Sequence, residues 1–400
     1  MGKLIRFEIR KILKSRFFVL IALLFLLSEP VLAIPKLSEF RFGFVWMKWD
    51  KNSYDFYYSL SDEELEAFCQ AMEEKYGADV FTNPVFPPAS YQAPGYFGED
   101  QQDVTYIQIR WGILSDQGRI GDARKEVLRK AGKLLETAEA ENDPYRIRQW
   151  EQMLRIYSKE LPPVNYPVRG WTDLIGRFEI LIPVLLLSLL IGGLAFSQEN
   201  DYGTKNYLRT TKLGDHTTVL AKIAAGVILS LAAVVLCNLV AAAVLFLEFG
   251  FMGGGNPVQR IYEYVLSPLT LKIWQFCLMK IGAEMLVAAI FSVWMAAISF
   301  VSKKTWMSYL IGGVFLGAAL LIHYFKAAAF RHADLLSIVD MEYYFSSYYT
   351  ANILGLPVNR WVLLVLGWTA AAALLVFLMA YVAKRQGRAR LQKDRGKNAA

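Results

Sequence analysis

The sequence contains few of the residues that most often build catalytic or metal centres. Among its 400 residues there are only three cysteines and three histidines. Three cysteines are too few for a disulfide framework. The histidines, His216, His323 and His332, are too scattered along the chain to indicate a metal site, and the patterns H-E-x-x-H and C-x-x-C are missing. The sequence therefore predicts neither a metal centre nor a disulfide-stabilised domain.

Two signatures of nucleotide and ester chemistry are absent as well. The sequence has no G-x-x-x-x-G-K-[ST] phosphate loop, so the chain is not expected to hydrolyse ATP by itself. It also has no G-x-S-x-G nucleophile elbow, which argues against a hydrolase of that class. We therefore expect a protein that is not an enzyme and that binds no cofactor of its own.

Charged residues are scarce, at 20% of the chain, whereas hydrophobic residues make up 55%. The hydrophobic residues form blocks long enough to cross about 30 Å of hydrocarbon as helices. The predicted transmembrane helices are 17–34, 173–197, 217–247, 271–301, 306–325 and 361–383. The expected fold class is an all-α polytopic membrane protein with six transmembrane helices, which excludes soluble cytosolic and simple secreted proteins.

The distribution of charge orients these six helices. Basic residues cluster near both termini and in the short connections after the second and fourth helices, and basic residues beside membrane helices stay in the cytoplasm. The segment 35–172 is net acidic, although the whole chain carries a net charge of +7. We therefore expect a multi-pass protein of the plasma membrane with both termini cytoplasmic. The segments expected inside are 1–16, 198–216 and the basic tail 384–400, and those expected outside are 35–172, 248–270 and 326–360.

Residues 1–16 have the pattern of an amphipathic helix on the inner membrane interface. Leu4, Ile5 and Ile9 fall on one helical face, whereas Lys3 and Arg6 fall on the opposite face. A helix of this kind lies in the plane of the interface. The basic start, the apolar core and the V-L-A at 31–33 also fit a cleaved signal peptide. We favour the retained helix over this alternative.

The predicted exterior segment 35–172 has the size and composition of a soluble domain. Two charged, helix-forming stretches at 119–140 and 144–161 are separated by a turn, in which Asp143 is expected to cap the second helix. We therefore expect a mostly helical extracellular domain that contains a helical hairpin. Aromatic residues in 326–360 predict short helices in or on the outer leaflet; the alternative is a surface loop packed on the extracellular domain.

Three of the polar residues in the predicted membrane helices are candidates for a functional role. Lys280 and Glu284 are four residues apart, so their side chains are close enough to neutralise each other. Because a charge in lipid is costly, ionisable residues there indicate function by default. Glu284, Lys280 and Asn238 are therefore candidates for a substrate pathway. A purely structural ion pair between Lys280 and Glu284 is the alternative.

The connection between the second and third helices carries the most informative pattern, FSQENDYGTKNYLRTTKLGDHTTVLAK, over 196–222. It resembles the inner loop of permease subunits of ABC exporters of the ABC-2 type. In that loop a Glu is followed by a Gly-Thr pair, a short helix with Leu, a small-residue turn and a Lys that opens the third helix. The matching positions are Glu199, Gly203, Thr204, Leu208, Thr210, Thr211 and Lys222. The Pro and basic residue usual in the turn are replaced by 212–216.

The order of the predicted elements is similar to that of the same family, and the large domain between the first two helices resembles a subset of ABC-2 permeases. The resemblance implies a permease subunit that pairs with a second copy or a related permease. It also implies a separate ATPase subunit, which would hold ATP and magnesium, and contact with membrane lipid but not nucleic acid. The residues implied in ATPase coupling are Glu199, Gly203, Thr204, Tyr207, Leu208 and Lys212. Alanine at Glu199, Tyr207 or Leu208 is expected to uncouple or release the ATPase while membrane insertion stays near normal.

The sequence alone does not identify the transported substrate. A helical exterior domain and aromatic outer helices suit an amphipathic substrate, either an antimicrobial peptide or a lipid-like compound. Related permeases with such an insertion are implicated in sodium extrusion, which is one alternative. The other alternative is a non-transporting envelope protein whose exterior domain is a sensor or a scaffold.

Overall fold

The computed structural model describes residues 1–16, 18–27, 62–76, 121–159, 168–201, 203, 215–249, 251, 253–325 and 333–398. The chain opens with helix α1, Gly2–Leu13, followed by a short apolar helix α2, Phe18–Leu27. Within the described residues α2 is too short to cross a bilayer, which takes about 20 residues. Residues 28–34 of the predicted first span lie outside the described residues.

Three helices belong to the predicted exterior segment. They are α3 at Asp62–Tyr76, α4 at 121–140 and α5 at Pro144–Tyr157. The side chain of Asp143 accepts hydrogen bonds from the backbone N–H groups of Tyr145 and Arg146, and Pro144 occupies the first turn. The predicted cap and helical hairpin are thus confirmed. Residues 35–61 and 77–120 of that segment lie outside the described residues.

Five later helices are long and apolar enough to span a membrane, which confirms a mostly helical polytopic membrane protein. After the short helix α6, Arg169–Gly176, these five are α7, α8, α9, α10 and α12. Their bounds are Leu181–Asp201, Asp215–Phe249, Ile273–Val301, Thr305–Phe325 and Arg360–Asn398. The membrane-compatible part of α12 ends at Arg385, and the predicted basic tail continues the same helix.

The second predicted span is wrong in one respect. The chain at 173–197 is not one helix, because α6 ends at Gly176 and α7 starts at Leu181. The carbonyl groups of Leu174 and Arg177 accept hydrogen bonds from the Lys280 ammonium. A cation from another helix thus satisfies carbonyls that the break leaves without an intrahelical partner.

Helices α7 and α9 form the centre of the bundle. Within the chain, 67% of the membrane window of α7 is buried, compared with 11% for α12. A Cβ atom built on Gly192 of α7 would lie 2.5 Å from the Cβ of Met295 in α9. Small residues allow membrane helices to approach closely and to gain van der Waals contacts. Glycine at this position therefore sets the α7–α9 distance.

The segment before α12 is more compact than the sequence predicts. A 3-10 turn at Leu336–Val339 and helix α11 at Met341–Phe345 are mostly buried in the same core as α9. Tyr344 is only 2% exposed, so this aromatic side chain packs inside the protein and not at the lipid headgroups. Burial within the chain thus accounts for Tyr344, whereas Tyr349 of the same segment is 38% exposed.

An antiparallel β-hairpin follows α11 and departs from the expected all-α fold. Strand β1, Thr350–Ile353, pairs with β2, Leu356–Asn359, so that Ile353 faces Leu356 across the turn. Leu354 and Gly355 form this turn with φ values of 52° and 82°. Positive φ at both positions is typical of the two-residue turns that connect paired strands.

The bundle has two ends, named here by the elements found there. The α1 end contains α1, the end of α7, the start of α8 and the turn between α9 and α10, where Asn200 donates a hydrogen bond to the Ser302 carbonyl at 2.9 Å. The hairpin end contains β1–β2, the α6–α7 break and the start of α9. Lys280 of α9 contacts that break.

Helix α5 packs on the hairpin end. Its Tyr145 hydroxyl lies 3.0 Å from the Thr350 hydroxyl, and its Arg148 donates to the Gly355 carbonyl at 3.2 Å. The Tyr157 hydroxyl at the end of α5 donates to the Leu266 carbonyl. Helix α5 of the predicted exterior segment is therefore attached directly to the loops of the bundle.

Candidate functional site

Four charged side chains form a network at the α1 end. The Lys222 ammonium, on the second turn of α8, lies 3.1 Å from the Glu8 carboxylate of α1 and also contacts the Glu199 carboxylate of α7. Lys11, one turn after Glu8, lies 3.3 Å from Glu8 and 3.5 Å from Glu199. We call Glu8, Lys11, Glu199 and Lys222 the inter-helix charge network, because it joins three helices.

The network is largely shielded from solvent. Lys222 is 3% exposed, Glu8 is 8% exposed and Glu199 is 9% exposed. The Lys222 ammonium also lies 5.8 Å from the centre of the Phe196 ring, a distance at which a cation is attracted to an aromatic face. Two acids and two lysines balance in charge, so burial leaves no net charge to solvate. Such buried pairs add little net stability, but removing one partner is costly.

The network changes the interpretation of Glu199. The sequence predicts that alanine at this position uncouples or releases the ATPase while membrane insertion stays near normal, with Glu199 acting through charge pairing or by capping the loop helix. In the structure Glu199 is nearly buried and already contacts Lys222 and Lys11. Glu199 therefore holds α7 to α8 and α1.

The rest of the predicted coupling segment is only partly described. Gly203 has a φ of 67°, a left-handed conformation that glycine adopts without strain. Thr204, Tyr207, Leu208 and Lys212 lie outside the described residues. The end of α7 is attached to the turn between α9 and α10, because the backbone N–H of Thr305 donates to the Asp201 carboxylate at 2.9 Å.

The resemblance does not include Glu8 among the coupling residues, although the amphipathic helix that carries it is expected to brace the same interface. The signal for this residue was present, because Glu8 is the single acidic residue among the first 16 positions. The residue lies 214 positions before Lys222, so spacing along a helix gives no information about this contact. A lone acid in a basic amphipathic helix is a reason to search for a buried cation elsewhere in the chain.

The three predicted pathway residues meet at one point in the bundle. The Lys280 ammonium lies 2.6 Å from Oε1 of Glu284, which confirms the predicted ion pair. The Asn238 amide of α8 donates to Oε2 of Glu284 at 2.6 Å. We call Asn238, Lys280 and Glu284 the buried triad; Glu284 is fully buried and the other two are at most 3% exposed.

The contacts of the buried triad explain most of its polar groups. Lys280 has one carboxylate and the two carbonyls of the α6–α7 break as partners, so its charge stabilises the break. The Oδ1 atom of Asn238 is buried and has no hydrogen-bond partner among the described residues. The triad thus supplies a structural ion pair together with a buried acceptor, Oδ1 of Asn238, that the described part of the chain leaves unused.

The described residues contain no group of three or more His, Cys, Asp or Glu side chains arranged to hold a metal ion. The fold and the two polar sites therefore define a class: a polytopic helical membrane protein with a charge network that joins helices at one end of its bundle. The chain matches no protein-family model and no curated protein. The more specific assignment depends on the residues themselves.

Proposed function

We propose that the chain is the permease subunit of an ATP-driven exporter of the ABC-2 type and moves an amphipathic substrate with energy from a separate ATPase subunit. The pattern at 196–222 and the order of the elements support this proposal. The observation that carries it is the inter-helix charge network, because Glu199 and Lys222 of that pattern are in direct contact.

The network provides a physical route for coupling. The connection between α7 and α8 begins at a residue that is hydrogen-bonded to the α9–α10 turn and ends at the helix that carries Lys222. A partner that displaces this connection therefore moves α7 and α8 together, and α1 moves with them through Glu8 and Lys11. Rigid-body shifts of packed helices are a common way to transmit such movements.

A sixth crossing, formed by α2 and the residues after it, is part of the proposal. Helix α1 contacts the start of α8 at one end of the bundle, whereas α5 contacts the β-hairpin at the other end. Between α1 and α5 the chain passes from one end of the bundle to the other. This requires an odd number of membrane crossings. Together with the basic termini, this arrangement supports an exterior α3–α5 and a cytoplasmic α1.

The proposed exporter contains two permease subunits. Helices α10 and α12 bury little of their apolar surface within the chain and present it to lipid or to a second subunit. A closed pair is the commonest symmetric assembly of identical chains. The α5–hairpin contact and the aromatic core around α11 lie on the side from which an amphipathic cargo would leave.

The proposal is tested by purifying the tagged full chain from membranes of its own host. We expect a separate ATPase subunit to co-purify in equal amount and its hydrolysis to rise with a cationic amphipathic peptide. The variant Glu8→Gln removes one partner of Lys222 and keeps Glu199, so we expect the ATPase to stay bound while the peptide-stimulated hydrolysis falls severalfold.

Lys3→Gln is the matched control, because Lys3 lies on the exposed face of the same helix. We expect it to leave the stimulated hydrolysis within about twofold of the wild type, since exposed polar substitutions change little. If no ATPase accompanies the wild-type chain, the exporter assignment is wrong and the sensor or scaffold alternative replaces it. Stimulation by sodium ions and not by peptide would instead favour sodium extrusion.

A further inference from the structure

A cavity of about 300 Å³ opens at the hairpin end of the bundle. It lies between the α6–α7 break, the first turns of α9, the end of α10 and the start of α11. Its volume is at the lower end of ligand pockets in proteins and suits a group of the size of one large side chain. The lining residues that matter for the argument are Phe178, Glu179, Tyr264, Lys280, His323 and Glu342.

The positive groups in this lining already have carboxylate partners outside it. The Lys280 ammonium lies 2.6 Å from Glu284, and Nδ1 of His323 lies 3.4 Å from Asp334. The carboxylates of Glu179 and Glu342 line the same space without a cationic partner in the lining. The cavity therefore offers negative charge to whatever enters it.

Glu179 supplies an independent observation. Its Oε2 atom is buried and has no hydrogen-bond partner among the described residues. Burying a carboxylate oxygen without a partner costs free energy, and such an atom in a native protein calls for an explanation. A cation held in the adjoining cavity would offset this cost by pairing with the Glu179 carboxylate.

The remaining wall of the cavity is aromatic. The Phe178 ring stacks on His323 with their centres 4.7 Å apart, and its centre lies 6.1 Å from that of Tyr324 in an edge arrangement. Tyr264 completes this wall. Aromatic faces attract ammonium and guanidinium groups and also accept the carbon atoms attached to them. An inorganic ion would leave these apolar faces without a partner.

We propose that this cavity binds the cationic head of an amphiphile, a primary ammonium or guanidinium group on an apolar carbon chain. The inference builds on the proposed export of an amphipathic substrate and names the chemical feature by which the substrate is recognised. Glu179 and Glu342 pair with the cation, and Phe178, Tyr264 and Tyr324 contact the apolar carbons next to it.

The test uses the purified full chain in lipid nanodiscs without any ATPase, so its result is separate from that of the co-purification experiment. Benzylammonium is the probe, and calorimetric titration gives its affinity. Benzyl alcohol and phenylacetate are the neutral and anionic controls of similar shape. We expect benzylammonium to bind at least about tenfold more tightly than either control, with an affinity that falls as salt is added.

Two variants locate the site. We expect Glu179→Gln and Glu342→Gln each to weaken benzylammonium binding about fivefold, because each keeps the shape of the side chain and removes one charge. Glu263→Gln is the matched control; it neutralises an exposed acid in the loop that carries Tyr264 but outside the cavity lining, and its affinity should stay within about twofold. Unchanged unfolding temperatures verify that all three variants are folded.

Three outcomes would overturn the inference. Equal affinity for benzyl alcohol would mean that charge is not recognised. Tighter binding of phenylacetate would assign the cavity to anions held by Lys280 and His323. Wild-type affinity in both Glu179→Gln and Glu342→Gln would place the cation elsewhere on the chain.

Discussion

Two buried lysines show how the protein places charge inside a membrane bundle. The Lys222 ammonium contacts two carboxylates from different helices, whereas the Lys280 ammonium contacts one carboxylate and two backbone carbonyls. Each cation therefore holds together elements that are distant in sequence. Neither can be removed without leaving buried acceptors unsatisfied.

Lys222→Met is expected to destabilise the protein strongly. The substitution leaves Glu8 and Glu199 close together with Lys11 as their remaining cation, and breaking a buried pair in this way costs about 3–5 kcal/mol. The unfolding temperature of the purified chain measures the effect. Lys3→Met on the exposed face of α1 serves as the control and should change stability by less than about 0.5 kcal/mol. Equal unfolding temperatures for the two variants would contradict the role assigned to the network.

The Asp334 carboxyl gives a second prediction, which concerns how the stability of the protein depends on pH. Burial acts to raise the pKa of this carboxyl, but hydrogen bonds from His323 and Ser337 outweigh it, so its pKa lies below the ordinary value. The unfolded chain thus takes up the proton at higher pH than the folded chain. The resulting stability is present above the ordinary aspartate pKa of about 4 and is lost as pH falls through the folded pKa.

Asp334→Asn should therefore lower the unfolding temperature at neutral pH, and its difference from the wild type should shrink as the pH is lowered toward about 3. Unfolding curves of both proteins over that range measure this dependence. A difference that stays constant with pH would show that Asp334 contributes by shape alone.

Spacing within one helix was enough to predict the contact between Lys280 and Glu284, because residues four apart share a helical face. It was not enough for Asn238 or Glu8, whose contacts depend on the rotation and depth of separate helices. Lys222 and Glu199 are both matching positions in the pattern at 196–222, so the resemblance indicates both residues. It does not indicate that Glu199 is buried.

The arrangement of the helices in the bundle depends on close packing at glycine positions as well as on hydropathy. Gly192 of α7 faces the backbone-anchored Cβ of Met295. Gly312 of α10 faces only the flexible ends of Met295 and Leu189. The same residue type therefore tolerates substitution differently at the two positions.

Gly192→Ala should destabilise the protein by about 1–3 kcal/mol, because the added methyl group forces α7 and α9 apart. Gly313→Ala, where an added Cβ meets nothing within 4 Å, should change stability by less than about 0.5 kcal/mol. Gly312→Ala should fall between them. Unfolding temperatures give the order, and a Gly192→Ala protein as stable as Gly313→Ala would refute the packing argument.

Leu354 gives a prediction on the β-hairpin. Its φ is positive and its side chain is 98% exposed, so the residue carries strain with no packing in return. Leu354→Asn should stabilise the protein by about 0.5–1 kcal/mol, because Asn is favoured in this turn. Gly355→Ala, at a φ of 82°, should destabilise it. If Leu354→Asn is instead destabilising, the tip is embedded in lipid or in a partner.

Hydropathy located the five long helices well, because a lipid environment demands continuous apolar segments. It did not reveal the break between α6 and α7, because the charged residues Arg177 and Glu179 are only two positions within a longer apolar segment. The hairpin was also missed, because the turn Leu354–Gly355 lacks the Asn or Asp that usually marks such a turn.

The two ends of the whole molecule differ, because α1 lies at one end of the bundle and α5 lies at the other. The basic termini predict that the α1 end is cytoplasmic. Leu354 and Lys303 mark the two ends with exposed positions in the described residues. The native Cys69 lies in α3 and is partly exposed, so it is replaced by serine before labelling.

In that background, Leu354→Cys should react with a membrane-impermeant maleimide on intact cells. Lys303→Cys should react only after the cells are permeabilised, because its α9–α10 turn is expected on the inner side. Mass spectrometry of the labelled chain measures both. Labelling of Lys303→Cys in intact cells would reverse the orientation and remove the cytoplasmic site proposed for the ATPase.

The contact between Glu8 and Lys222 joins positions 214 residues apart, and this distance has a consequence for biogenesis. At about 5–20 residues per second, the ribosome needs about 10–40 s to reach Lys222 after it has made Glu8. Throughout that interval α1 is synthesised but its partner cation does not yet exist. The docking of the first helix is therefore a late step in the assembly of this protein, and it waits for the insertion of α8.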